Sequence, residues 1–345
     1  MINDVKIVQN KASRKELQEK IKKALANKPT ASSRLNRTAP TPIVPMAAAS
    51  PRPAMQQPGR PAVKSIKRNF TKRPRQEGKP ATATFMTGEA YLLEQEARRR
   101  NMPPFKTIPP FPQGYQGTFK HSGDLGDLWY SIPIIKYMGY GSIYLVNDGL
   151  KSTKADGTNS GLNMKMIEMA KPFLEAQPYI TACKVWKNET VDIDMDIFRK
   201  VNLYGDINLC ELILKNSGVP FEASNEPWFT CEKHRVAARV FARSPRYHNP
   251  NLNYQEIYNA YKTDAIFIGL PNEHKLFENT IGPIPYYPVR NFLEMAEIIN
   301  GADLFIGNQS SPMAIAIGLG KPFIQEVCPN CPNCMFTRDN AKYIT

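Results

Sequence analysis

"ADLFIGNQSSPMAIAIGLGKPFIQEV", residues 302–327, decides the fold. A short apolar run, 302–308, ends in Gly and Asn. A second apolar run opens with Ser and Pro, the residues of a helix start, and closes on "GLGKP". A third apolar run, 321–327, follows at once. This is strand, loop, helix, strand, and the small residues Ala314, Ala316 and Gly318 let the helix lie close to a sheet. Strands separated by helices imply a parallel sheet built from right-handed crossovers.

The same alternation extends upstream. "RVAARVFAR" (235–243) predicts a strand, "LNYQEIYNAY" (252–261) a helix, "DAIFIGL" (264–270) a strand and "VRNFLEMAEIING" (289–301) a helix. An earlier series begins at Gly117. Strands are expected at 117–121 and 142–147, with a helix between them that follows the loop "HSGDLGD" (121–127). Helices are expected at 163–175 and 206–216, and an extended run at 179–186. The fold class is therefore α/β with two Rossmann-like halves, 117–230 and 231–345.

The first 80 residues are of a different kind. They hold 19 Lys and Arg against 4 Asp and Glu, so the remaining 265 residues carry 26 against 27 and the net charge of +14 belongs to the tail. Residues 12–27 have the spacing of a short amphipathic helix. From Lys28 to Pro80, Pro, Ala, Ser and basic residues dominate, a composition that cannot bury enough apolar surface to offset chain entropy. The tail 1–80 is read as disordered and suited to polyanions such as nucleic acid. Residues 81–116 form a linker with one helix, 88–101, and a Pro-rich connector.

No run of about 18 apolar residues suggests a membrane span. The N-terminus has no apolar h-region, and six cysteines in 345 residues do not form a secreted disulfide framework. A cytoplasmic, reduced protein is expected.

In an open α/β sheet, ligands bind where strands run into helices. Three such loops have unusual composition. In "HSGDLGD", Gly123 and Gly126 admit close backbone approach, and Asp124 and Asp127 place carboxylates at a helix start; the alternative is that Asp127 only caps that helix. In "ARSPRYHNPN", Arg243, Ser244 and Arg246 follow a strand, where guanidinium forks suit a diphosphate and surface salt bridges are the plainer explanation. In "GNQSSP", Asn308, Gln309 and Ser310 lead to Ser311 as N-cap and Pro312 as first helical residue, a helix start able to hold phosphate. Glu273, after the 264–270 strand, could accept ribose hydroxyls or be an ordinary loop acid.

"HSGDLGDLWYSIPIIKYMG" and "ADLFIGNQSSPMAIAIGLGKPFIQEV", with "FARSPR" between them, resemble the signatures of the heptosyltransferase-like glycosyltransferases, family nine, of the GT-B fold. The resemblance covers roughly residues 117–335. It implies a nucleotide-diphospho-sugar donor, possibly of heptose, held by the second half, and a hydroxyl acceptor held by the first. It implies Asp127 as the general base, six positions before Pro133. No cofactor is implied, because helix amides and basic side chains can stabilise the departing diphosphate. Two positions depart from the family pattern: Gln309 stands for an Asp and Ala314 for a His. An inactive GT-B-like binding or assembly module is therefore the alternative.

Other signals weigh less. Cys328, Cys331 and Cys334 have C-x2-C-x2-C spacing, but a structural zinc needs a fourth ligand that the sequence does not supply. Asp192, Asp194 and Asp196 share one face if "DIDMDIF" is a strand, and a solvated face is expected. His121, His234, His248 and His274 are scattered.

Overall fold

The computed structural model describes residue 97, residue 102 and residues 104–147, 161–200, 207–329, 334–336, 338 and 340–344. The helices expected at 12–27 and 88–101 and the tail 1–80 lie outside these residues, apart from Ala97 in a helical turn. The described residues all fall within one compact unit that includes Phe85–Thr345.

Two wholly parallel sheets are present. The first comprises β1 (Gly117–His121), β2 (Gly141–Leu145), β3 (Ile180–Val185) and the two-residue β4 (Ile193–Asp194), in the order β3-β2-β1-β4. The second comprises β5 (Arg239–Ala242), β6 (Ala265–Phe267), β7 (Leu304–Asn308), β8 (Phe323–Glu326) and β9 (Ala341–Ile344), in the order β6-β5-β7-β8-β9. The helices are α1 (Leu125–Met138), α2 (Met164–Glu175), α3 (Leu209–Asn216), α4 (Tyr254–Tyr261), α5 (Pro271–Thr280), α6 (Phe292–Gly301) and α7 (Ser311–Gly318). This is the α/β architecture in two parallel-sheet halves that the alternating pattern predicts, and the one that the resemblance to GT-B proteins implies.

The differences from expectation have physical reasons. The 235–243 run shortens to β5, because β6 and β7 pair with it only from Arg239 onward. Helix α5 was missed because "PNEHKLFENT" buries only Phe277 and so lacks an apolar stripe. Its start is set by Pro271 in the first turn and by the Glu273 carboxylate, which accepts the Leu270 N–H at 2.8 Å. Strand β9 lies beyond the point where the sequence series ended, and it pairs with β8 in parallel.

In each sheet the chain reverses its direction of growth once: between β1 and β4, and between β5 and β7. Such switch points leave a crevice at the carboxyl ends of the strands. The loops that follow β1, β4, β5 and β7 are therefore the ones the topology offers to a ligand.

The second sheet alternates by face. Phe241, Ile306 and Ile324 pack with Tyr254, Tyr258 and Phe277 of α4 and α5, while Val240, Phe305 and Phe323 turn to the opposite side. That opposite side belongs to one continuous core that also takes in Phe119, Leu128, Trp129, Ile143 and Phe173 of the first half. The two sheets thus share a core, and α1 packs on α7 while α2 packs on α6.

Trp129 is the centre of that junction. It is fully buried and makes edge contacts with Phe173 at 5.6 Å, Phe292 at 5.3 Å and Phe229 at 6.0 Å between ring centroids. Pro133 inside α1 has no N–H to offer the carbonyl of Trp129 four residues back. That carbonyl instead accepts the Trp228 indole N–H at 3.1 Å, so a helix defect is used to fix the segment joining the halves.

Candidate functional site

Strand β1 delivers the first loop. Asp124 occupies the N-cap position of α1 without a capping bond from its side chain; its Oδ1 accepts the Gly161 N–H at 2.8 Å. Asp127 is in the first helical turn and not at the N-cap, so the capping alternative does not describe its carboxylate. Oδ2 of Asp127 meets Nη2 of Arg199 at 2.6 Å. Arg199 comes from a 3-10 turn, Ile197–Lys200, just after β4 on the other side of the switch point.

Asp196 completes the group. Its Oδ1 accepts the Ser122 N–H at 3.0 Å and lies 3.4 Å from Nε of Arg199. His121 is fully buried, with Nδ1 at 3.5 Å from the Ser131 hydroxyl and 3.8 Å from Asp196. Burial lowers the pKa of His121 in spite of the neighbouring Asp196. The Asp196 carboxyl, which burial alone would raise, is held below the ordinary value by His121, the Ser122 hydrogen bonds and Arg199. Burial opposes the charge of Arg199 as well, yet Asp127 and Asp196 leave its pKa raised. Gly123 makes room for this arrangement, since a Cβ there would collide with the Arg199 guanidinium. Gly126 has open space at the same point.

The sequence did not single out Arg199, and it assigned the three aspartates to a solvated face. Asp192 and Asp194 are exposed as that reading expects, Asp194 pairing with Lys120 at 2.8 Å, whereas the Asp196 side chain is only 11% exposed. Asp192 accepts the Thr118 N–H at 2.8 Å and the Tyr115 hydroxyl at 2.7 Å. A strand too short to be seen by periodicity runs beside β1 and carries these acids to it. Alternate aspartates beside an apolar residue were the one available signal.

On the second half, Arg243 is engaged within the protein. Its Nε and Nη2 bond both oxygens of Glu326 at 2.7 and 2.8 Å, and its guanidinium lies over the Tyr254 ring at 4.2 Å. Asn308 joins the loop after β5 to the end of β7: it accepts the Ser244 N–H at 3.0 Å and donates to the carbonyls of Ser244 and Arg246. Arg246 itself lies over the Tyr247 ring at 5.4 Å. Glu273 is partly buried, and burial raises its pKa; one of its oxygens is used in the α5 cap.

The helix start at "SSP" is shifted by one residue from expectation. Ser310 is the N-cap, Ser311 the first helical residue and Pro312 the second. Ser310 donates to the Asn308 carbonyl at 3.1 Å. Gln309 is buried, and its Oε1 accepts the Cys328 N–H at 2.8 Å. Gly318 is small for a different reason than expected: a Cβ there would meet Phe229 and Trp228, not the sheet.

Cys328 is buried and Cys334 partly buried, while Cys331 lies outside the described residues. Among the described residues no group of three His, Cys, Asp or Glu side chains could hold a metal ion, and no helix is long and apolar enough to cross a membrane.

The two helix starts are joined directly. Trp129, two residues after Asp127, donates its indole N–H to the Ser311 hydroxyl at 2.7 Å. Helix α1, which carries Asp127, and the start of α7 are thus bonded to each other through Trp129.

The chain matches no protein-family model and no curated protein. It is similar in structure to a family 9 glycosyltransferase from Veillonella parvula DSM 2008, with a TM-score of 0.45 and 13% identity over 66% of this chain and 86% of that one. E. coli heptosyltransferase WaaC with ADP gives a TM-score of 0.41 and 10% identity over 66% of this chain and 92% of that one. The dodecameric iron-containing heptosyltransferase TibC in complex with ADP-D-beta-D-heptose gives 0.42 and 12% over 70% and 65%. The chain is thus structurally similar to family 9 glycosyltransferases and heptosyltransferases at low sequence identity.

Proposed function

We propose that the chain is a glycosyltransferase that moves a sugar, with heptose the first candidate, from a nucleotide-diphospho-sugar to a hydroxyl acceptor. The observation that carries this reading is the packing of α1, which bears Asp127 in its first turn, against α7, whose start follows β7 at the switch point of the second sheet. The N–H groups of a first helical turn have no acceptors within the helix. Those at the start of α7, together with Arg246, would neutralise a departing diphosphate. Asp127 would take the proton of the attacking hydroxyl from the opposite side. Glu273, with one oxygen outside the α5 cap, would accept ribose hydroxyls.

One observation favours a second reading, a binding module without catalysis. Gln309 stands at the family's Asp position and is turned inward to the Cys328 N–H, so it offers the donor less than a surface carboxylate would.

The test is a panel of nucleotide sugars, ADP-heptose first, read by thermal shift and by release of nucleoside diphosphate. Asp127→Asn keeps size and removes the proton acceptor. Transfer is expected to fall by about 10²–10⁴-fold, the usual worth of a general base, with donor affinity and melting temperature little changed. A wild type that binds one donor and turns over none would establish the second reading.

A further inference from the structure

The salt bridge between Arg199 and Asp127 poses a problem for any base at this position. A guanidinium 2.6 Å from Oδ2 occupies one of the acceptor sites through which the carboxylate could take a proton. Resting on the proposal that Asp127 is the base, we propose that Arg199 is a positioning residue that masks Asp127 from water and is handed to Asp196 when an acceptor docks.

Three observations carry this. Arg199 lies between two carboxylates: Nη2 is on Asp127, and Nε is already 3.4 Å from Oδ1 of Asp196. Oδ2 of Asp196 is buried and has no hydrogen-bond partner, its nearest cation being Lys120 Nζ at 3.7 Å. A buried carboxylate oxygen without a donor is costly, and it is a ready acceptor for a guanidinium that has left Asp127. The guanidinium also rests on the bare backbone of Gly123 with its side chain one third exposed, so no side chain at that residue blocks its movement.

The exchange trades one charge-assisted hydrogen bond for another, which keeps the two states close in free energy. An acceptor then needs only modest differential contacts to shift the population. Water, which brings no such contacts, meets Asp127 masked. Without the mask, the oxygen of water attacks the anomeric carbon, Asp127 takes the proton, and the bond to the diphosphate breaks, with the electron pair leaving on the nucleoside diphosphate. The function of Arg199 is to suppress this loss of donor and so to choose a hydroxyl acceptor over water.

The experiment measures ADP release from ADP-heptose by the full chain with no acceptor present. Arg199→Met is expected to release ADP about tenfold faster than wild type. Arg199→Lys, which keeps charge without the fork, should fall between them. The gain should vanish in the Asp127→Asn/Arg199→Met double variant, a dependence that a merely structural role for Arg199 would not produce. Arg199→Gln replaces Arg199→Met if the latter melts early. Release by Arg199→Met equal to or below wild type, or a gain that survives Asp127→Asn, overturns the proposal while leaving the transferase reading intact. Absence of both ADP-heptose binding and ADP release in wild type and variants alike overturns the donor reading, and the masking role falls with it.

Discussion

Arg243 offers a direct contest between a ligand role and a structural one. Sequence left it between a diphosphate and a salt bridge; the structure pairs it with Glu326, whose side chain is 0% exposed. Arg243→Ala would leave Glu326 with the Asn249 N–H at 2.8 Å as its remaining charge-compensating contact. Breaking a buried pair by removing one partner costs about 3–5 kcal/mol. At about 2–4 °C per kcal/mol for a body of this size, melting should fall by roughly 6–20 °C. Replacing both partners, Arg243→Met with Glu326→Gln, removes the uncompensated charge while keeping an acceptor for Asn249, and should recover at least half of that loss. The assay is a thermal melt of wild type and the two variants with and without ADP, beside calorimetric ADP affinity of whatever remains folded. Melting of Arg243→Ala within about 2 °C of wild type, with ADP affinity down tenfold or more, would refute the structural reading and restore the diphosphate one.

Arg246→Ala should weaken nucleoside-diphosphate binding by about 1.5–3 kcal/mol, the worth of a charge-assisted hydrogen bond, and leave nucleoside binding nearly unchanged; equal losses would place it away from the phosphates. The lowered pKa values of His121 and His248, both held down first by burial, mean that the unfolded chain binds more protons as pH falls through about 6.5. Stability should therefore decline below that pH, and His121→Asn should reduce the slope in pH-dependent denaturant melts; an unchanged slope would exclude His121 as a source. Deleting residues 1–80, whose composition predicts no packed core, should leave the melting transition within about 2 °C and abolish retention on heparin at low salt. A large drop in melting temperature would show that the tail packs.

The parts of the fold that sequence made legible are those where one local signal governs. Helix α1 and the strands β1, β5 and β7 follow from apolar runs broken by Gly, Asn and Ser. What stayed hidden depends on partners far along the chain. Strand β4 is two residues long and exists because Phe119 and Lys120 of β1 pair with Ile193 and Asp194; periodicity has nothing to act on there. The same is true of the site. Asp127 could be found from a loop motif, but its partner Arg199 is 72 residues away and enters through the topological switch. The partner of Arg243 was hidden for a related reason, because Glu326 meets it only after β5, β7 and β8 assemble side by side.

The way the two halves are joined bears on how the site can work. If α1 and α7 met through loops, closing the crevice by a hinge would be the natural way to bring base and diphosphate together. Here they meet through Trp129, which is wedged among Phe173, Phe229 and Phe292 and bonded at both its indole N–H and its carbonyl. Separating the helix starts would expose one of the largest side chains of the core and break both bonds, whereas moving the Arg199 guanidinium exchanges one carboxylate for its neighbour. The cheaper motion is the side chain's. On the proposed function, adjustment to an acceptor belongs to residues at the rim of the crevice, and the spacing between α1 and α7 is set by the core.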